Sequence, residues 1–568
     1  MTYDKIKFRK GAKSQLPILE VGEPGFCTDT NEFIIGGYDG NKDIVKDNPT
    51  FNDHLVKFTT VEKYGAVGDG IVDDTIKFQD AINDLSFKGG GYLYTDSFKT
   101  YGIAGTIKLK SNVYLYLRTS TLKRIGSETN IKMVQNYNFG NNPVIDKNLG
   151  VIGGYFVGTG DTVGVSDQGH ALGFYSVDNL LLEKIETNNT NGDGIALRKT
   201  NNVKLRDIII GDYGRNGISP TSGINIVWDN VYVKGVAITG ANPGIPIDAE
   251  NNNADETTQM FWNNVRASSV TFIDFHTEEN GDFSHEIYMN NCKFTGKYPA
   301  GIRFKSTNKT VAKNVHINSN NDIFAASTAG SGILIDNVSG IKIDGAKLFV
   351  GTATSSPVGI LIEGIVDSLY INNVVFNGFT RNISCLSPNE YNNAEIYNCN
   401  LSRSRVKGIN NRFKGCRFSI LELDSATTIN NVFDSSCEIA SITLVSSALI
   451  SDQHFGSDRG SQSKTFYSRS VEIPDGATYD LVIPLPSAVG VTKGRMLFVF
   501  AGYSYLGRSD HNAMLFTTIR IGDTTQAEET QIAKSGTKDI SILSVTTTAI
   551  TLRLTYQYKG VFSATVLG

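Results

Sequence analysis

Ionisable residues at alternate positions mark the middle of this chain: Asp248 with Glu250, then Asp274, His276 and Glu278, then Arg303 and Lys305. On a β-strand alternate residues share one face, so each group presents its side chains together. Two carboxylates in unlike environments can serve as general acid and general base, and an imidazole beside a carboxylate can serve as a base. Such a set suits hydrolysis of a glycosidic bond, or of a phosphodiester in a teichoic-acid-like polymer. Arg198, Arg215, Arg303 and Lys305 would then hold an anionic substrate. Polar exteriors also gather charge by chance, and that reading stands beside the catalytic one. For Arg215 a structural role at a turn stands equally.

What would place these residues side by side is a repeated phrase: a small residue, Ile, any residue, an apolar residue. Its copies begin at Gly194, Gly217, Gly244, Phe272, Gly301, Gly332 and Gly359, spaced 23, 27, 28, 29, 31 and 27 residues apart. A short strand recurring at that interval marks a solenoid, each copy being one edge of a coil and neighbouring coils lying about 5 Å apart. With Ile195, Ile218, Ile245, Ile273 and Ile302 in one internal column, the third and fifth residues of each phrase face solvent. The third positions read Ala196, Ser219, Pro246, Asp274, Arg303 and Leu334. The fifth read Arg198, Thr221, Asp248, His276, Lys305 and Asp336, and a seventh adds Glu250 and Glu278. This register stacks Asp248 on His276 and Glu250 on Glu278. It sets Asp248 and Asp274 diagonally about 7 to 9 Å apart, within the span of inverting glycosidases.

Composition agrees with many short strands and many corners. Gly is abundant (57), Pro scarce (13), and Asn recurs in pairs such as Asn201-Asn202, Asn263-Asn264 and Asn410-Asn411. Gly and Asn tolerate the left-handed backbone of tight turns, and the Asn pairs read as corners and ladders. A net charge of -4 gives no basic patch for nucleic acid or an anionic membrane. No run approaches 18 apolar residues, so no membrane insertion is expected. The six cysteines show neither CxxC nor metal spacing; four sit in strand-like repeats and read as small core residues, with a disulfide between an adjacent pair as the alternative. No cofactor is expected. A divalent cation has a place only in a lyase reading, with Arg303 or Lys305 as base. Met1 to Lys13 is charged and lacks an apolar segment, so no secretory signal is expected. Trp228, Trp262, Tyr232 and Tyr288 read as plugs of coil corners or as sugar-stacking platforms.

Three segments carry a resemblance. Tyr64-Gly65-Ala66-Val67-Gly68-Asp69-Gly70 and Asp73-Asp74-Thr75 precede Phe78, Ala81, Ile82 and Leu85, whose spacing predicts an amphipathic helix closing the open end of the solenoid. The Asp pair reads as turn and helix cap. Residues 61–125 resemble the entry segment of the pectate-lyase-like β-helix superfamily, as found in phage tailspikes. Residues 1–57, with Leu16-Pro17-Ile18-Leu19 and Phe33-Ile34-Ile35-Gly36-Gly37, resemble attachment segments of phage tail proteins. The stretch from Gly214 to Asn251, with Arg215 and Gly244-Ile245-Pro246-Ile247-Asp248-Ala249-Glu250-Asn251, is similar to one recurring in phage proteins that break down host surface glycopolymers. Relatives commonly read Gly-Ile-Asp-Ile-Glu-Pro-Asn there, so the acid falls to Asp248 or Glu250.

The chain is thus read as all-β: a right-handed parallel β-helix with an N-terminal capping helix and a C-terminal β-sandwich. Boundaries are expected at 1–57 (virion-attachment leader), 58–144 (entry and capping helix), 145–450 (β-helix with the active face), 451–465 (linker) and 466–568 (sandwich). The resemblance implies a homotrimer in the virion tail, attached to tail or baseplate through its N-terminus and cleaving a host polysaccharide or teichoic acid. Rival readings are a fibre that only binds its receptor, and a polysaccharide lyase.

Overall fold

In the computed structural model, residues 9–43 (Asn31 apart) and 57–439 are described, with breaks at several corners; beyond residue 441 only strand backbones are. Residues 239–243, 252–257, 269–272 and 278–284 fall in breaks near the site. Asn251, His276 and Thr277 are described by backbone alone. Glu278 lies outside the described residues.

The leader forms a small sheet. Arg9–Gly11 pairs in parallel with Pro24–Cys27, which continues antiparallel to Glu32–Gly37 and Gly40–Asp43. Its core is Leu19, Cys27 and Ile34. A Cβ on Gly36 would sit 1.9 Å from the Glu20 carbonyl oxygen, so only glycine allows that approach.

Helix Thr75–Phe87 buries Phe78, Ala81, Ile82 and Leu85 against the first coils, as its spacing predicts. The Asp pair is structural. Asp73 Oδ1 accepts the Thr75 N–H at 3.0 Å, while buried Asp74 accepts from Val67 and Gly68 at 2.7 and 3.1 Å, pinning the turn. The residue that caps the helix amide is therefore Asp73.

Beyond it, strands pair in parallel from coil to coil. One internal column runs Leu172, Ile195, Ile218, Ile247, Ile273, Ile302, Ile333, Ile360 and Ile383. A second runs Leu205, Trp228, Trp262, Met289, Ile317, Ile343 and Ile371. Identical or similar apolar groups stacked at strand spacing make a continuous core in which no coil is stable alone. Trp228 and Trp262 are buried and stacked at 4.9 Å, so they plug the core and bind no sugar. All six cysteines are free, and all but Cys437 are buried.

The column corrects the expected register at one coil. Ile247, not Ile245, stands between Ile218 and Ile273. Pro246 has no N–H for the ladder, and the strand Asp248–Asn251 begins only after it. A slip of two residues keeps each side chain on its face but changes its neighbours.

Corners are built on asparagine at positive φ, among them Asn112, Asn148, Asn179, Asn202 and Asn225. Their amides form ladders: Asn148 donates to Asn112 at 2.9 Å, Asn179 to Asn148 at 2.8 Å and Asn225 to Asn202 at 2.9 Å. After the coils, Ser463–Ile473, Gly494–Tyr503, Asn512–Ile521, Ala527–Ala533 and Tyr558–Leu567 form one antiparallel sheet. Thr478–Pro484, Ile540–Val545 and Ala549–Thr555 form another. Within the stretch expected as linker, Gln453–Phe455 is a strand, pairing with both the last coil and Phe466–Ser468. No helix among the described residues is long and apolar enough to cross a membrane.

Candidate functional site

The corrected register rewrites the outward columns of one sheet. The residue after each internal Ile or Leu reads Gly173, Ala196, Ser219, Asp248, Asp274, Arg303, Leu334, Leu361. Two positions on stand Tyr175, Arg198, Thr221, Glu250, His276, Lys305, Asp336 and Glu363. Asp248 therefore pairs with Asp274 rather than His276, and Glu250 pairs with His276 rather than Glu278.

The expected solvent exposure of the acids also fails for two of them. Asp248 is 2% exposed and Asp274 is fully buried. Asp248 accepts from the Asn216 amide at 2.7 Å. Asp274 takes a two-pronged bond from Arg303, Nε to Oδ1 at 2.8 Å and a second from the terminal amino group. Burial alone would lower the Arg303 pKa, but Asp274, with Asp248 and Asp336 farther off, raises it overall. Both aspartates are thus buried and hydrogen-bonded, each ordering the side chain that reaches it.

Where the first column carries only Gly173, Ala196 and Ser219, the face is recessed. A cavity of about 390 Å³ opens there, bounded by Tyr175, Arg198, Thr221 and Glu250 on the sheet and by Phe139, Gln168 and His170 from the preceding turns. The size suits a small ligand or one to a few sugar rings. Glu250 and Arg198 came from the acid-and-cation pattern, and Arg215 also lines the cavity. The Arg198 guanidinium lies 5.5 Å over the Tyr175 ring.

Beneath the cavity sits a network that the sequence did not single out. Buried Asp193 accepts both Nε and a terminal amino group of Arg215 at 2.7 Å, and the Asn216 N–H at 3.1 Å. The Asp193 N–H donates to His170 Nδ1 at 3.1 Å, so the ring carries its proton on Nε2. Burial pushes the His170 pKa down to about 4, with Asp193 opposing. The imidazole is neutral at pH 7. Burial works against the Arg215 charge, yet Asp193, with Glu250 and Asp248, raises its pKa overall. Arg215 thus takes the structural role at the corner and also lines the cavity. The signal that was present is the polar residue directly before the phrase glycine, Asp193 before Gly194 and Asn216 before Gly217.

Farther along, Asp336 stacks on Glu363, and Lys305 stacks on Asp336. Burial raises the Asp336 pKa, with Lys305 and Arg303 opposing; burial and the Asp336 charge raise that of Glu363. Asp336 is half-buried and accepts an Asn337 amide bond at 3.0 Å, while Glu363 stands at the surface. Side chains stacked on adjacent parallel strands lie about 5 Å apart, the separation that retaining glycosidases use. Among the described residues no group of three or more His, Cys, Asp or Glu is placed to hold a metal ion.

Residues 6–40 match the family described as the major tropism determinant N-terminal domain. No curated protein matches the chain in sequence. Similar solved structures include a tailspike protein of E. coli bacteriophage HK620 in complex with a pentasaccharide, at 12% identity and TM-score 0.48, covering 94% of this chain and 96% of that one. A tailspike of Acinetobacter baumannii bacteriophage Fri1, described as a capsular polysaccharide depolymerase, aligns at 11% identity and TM-score 0.34 over 99% and 98%. The N-terminal fragment of bacteriophage phi29 gene product 12 aligns at 14% and 0.42 over 70% and 93%. The family match at residues 6–40 falls on the small N-terminal sheet, which precedes the capped parallel β-helix.

Proposed function

We propose that the protein is a phage tail receptor-binding protein that cleaves an anionic host-surface glycopolymer by hydrolysis along this face. The match at residues 6–40, within the segment read as the virion-attachment leader, supports a place in the tail. The observation that carries the chemistry is the Asp336–Glu363 pair: two carboxylates on adjacent coils with raised pKa values, beside Lys305 and near Arg303. A carboxyl with a raised pKa is better able to protonate a leaving oxygen, and its neighbour can act as nucleophile. Asp336, the more buried, is the proton donor, and Glu363 is the partner. The cavity holds a sugar farther up the chain, with Tyr175 and Phe139 as apolar walls and Arg198 and Arg215 toward its anionic group. Asp248 and Asp274 position Asn216 and Arg303.

One observation favours a receptor that binds without cleaving: among the described residues Glu250 is the only carboxylate lining the cavity. Incubating the purified full chain with host glycopolymers and weighing the products by mass spectrometry separates the two. Fragments are expected from the wild type, with Asp336→Asn and Glu363→Gln each at least about 100-fold slower, and Glu250→Gln raising KM. Loss of cleavage in Glu250→Gln alone would move the chemistry into the cavity. Binding without fragments from any polymer would leave only the receptor.

A further inference from the structure

The same sheet carries a second ionic cluster, past Leu334, Leu361 and Ser384. Glu422 is 1% exposed and takes bonds from three arginines: Arg381 at 3.1 and 3.4 Å, Arg403 at 2.5 Å and Arg405 at 3.2 Å. Arg405 also reaches Asp424 at 3.5 Å. Burial would raise the Glu422 carboxyl, but Arg381 and Arg403 override it and hold it below the usual carboxylate range. Three arginines thus share two carboxylates.

Buried cations in excess of their counterions are unfavourable unless an anion joins them. The cluster is open where one would enter. The Arg403 side chain keeps 43% of its surface exposed and that of Arg381 24%. Arg403 bonds Glu422 through Nε alone, and no acceptor is recorded for its two amino groups among the described residues. A guanidinium with an unused fork is shaped for a carboxylate or phosphate. By register Arg405 follows Ser384 and Leu361 on the same outward column.

We propose that Arg381 and Arg403 form an anion-binding subsite that receives the carboxylate or phosphate of a further repeat unit of the polymer. That the ligand is this polymer rests on the proposed function; that the cluster binds an anion does not. The test is calorimetric titration of the full chain with inorganic phosphate and, separately, with glucuronate. The tighter of the two identifies the anion class. Arg403→Gln should weaken it by about tenfold or more, the scale of a lost charge-assisted bond. Arg381→Gln should do likewise, each read beside Arg198→Gln, which reports anion held at the cavity instead, and Arg206→Gln, paired with Glu183 on another sheet, should leave it unchanged. Matched circular dichroism melts show that the variants fold. Equal affinity in wild type and both cluster variants, or no binding of either anion, would overturn the subsite whether or not the protein cleaves anything. If it does cleave, Arg403→Gln should raise KM for the polymer and leave kcat unchanged.

Discussion

Asp248 over Asp274 and Asp336 over Glu363 are two stacked carboxylate pairs on one sheet, and they are held in opposite ways. The first is buried and tied to Asn216 and Arg303. The second is less buried, with Lys305 near but no bidentate partner among the described residues, and its carboxyls are biased toward the protonated form. What separates the two pairs is thus whether strong hydrogen-bond donors reach them, more than how deep they lie. The first pair is built to orient, the second to exchange protons.

The largest effect that tests this contrast is on stability. Asp274→Asn removes the charge that compensates Arg303, leaving a mostly buried guanidinium with half its fork unmatched. Unfolding in guanidinium chloride should show a loss of about 3 kcal/mol or more, the scale for breaking one side of a buried pair. Asp336→Asn should change stability by no more than about 0.5 kcal/mol. Equal costs for the two would erase the distinction between them.

A pH profile sharpens it next. Asp336 and Glu363 hold protons in the folded protein to a higher pH than in the unfolded chain. Their contribution to stability is therefore complete below the unfolded carboxylate range and falls as pH rises through the raised folded values. The proton-donating form is lost over the same interval, so kcat/KM should decline on an alkaline limb lying above the ordinary carboxylate range. Solvent screens part of the effect at Glu363. Because Lys305 lowers both pKa values, Lys305→Gln should move that limb to higher pH. A limb that stays in place in Lys305→Gln would remove the pair from the chemistry.

The faces of this molecule were legible because alternation has a period of two, and the Ile phrase marks its inward side in coil after coil. Stacking partners were less so. The coil at Gly244 offers Ile245 and Ile247 to the same column, and a two-residue slip leaves every side chain on its predicted face. Only the missing N–H of Pro246 breaks the tie. That slip misplaced Asp248 by one column. Burial of Asp248 and Asp274 was hidden for a different reason: their partners, Asn216 and Arg303, lie on other coils. The cavity was hidden because it is lined by small Ala196 on the sheet and by Phe139, Gln168 and His170 from turns that follow no repeat. Asp336 was already visible in the outward column, and Glu363 lies at the same place in the next copy.

The smallest effect concerns the wall of the cavity. Tyr175 extends the column that holds Arg198 and Glu250, and its ring lies 5.5 Å beneath the Arg198 guanidinium. A cation over an aromatic face at a partly exposed site contributes about 0.5–1 kcal/mol. Tyr175→Leu keeps apolar bulk but removes that attraction, freeing Arg198 to leave the orientation in which it meets the sugar. The measured consequence should be a KM for the polymer raised about two- to fivefold with kcat unchanged, because the ring touches substrate equally in ground and transition states. Tyr175→Phe, which keeps the ring face, should restore KM nearly to the wild-type value. A fall in kcat in Tyr175→Leu would instead put the bond being cleaved inside the cavity, and with it transfer the proton-exchanging role from Asp336 to Glu250.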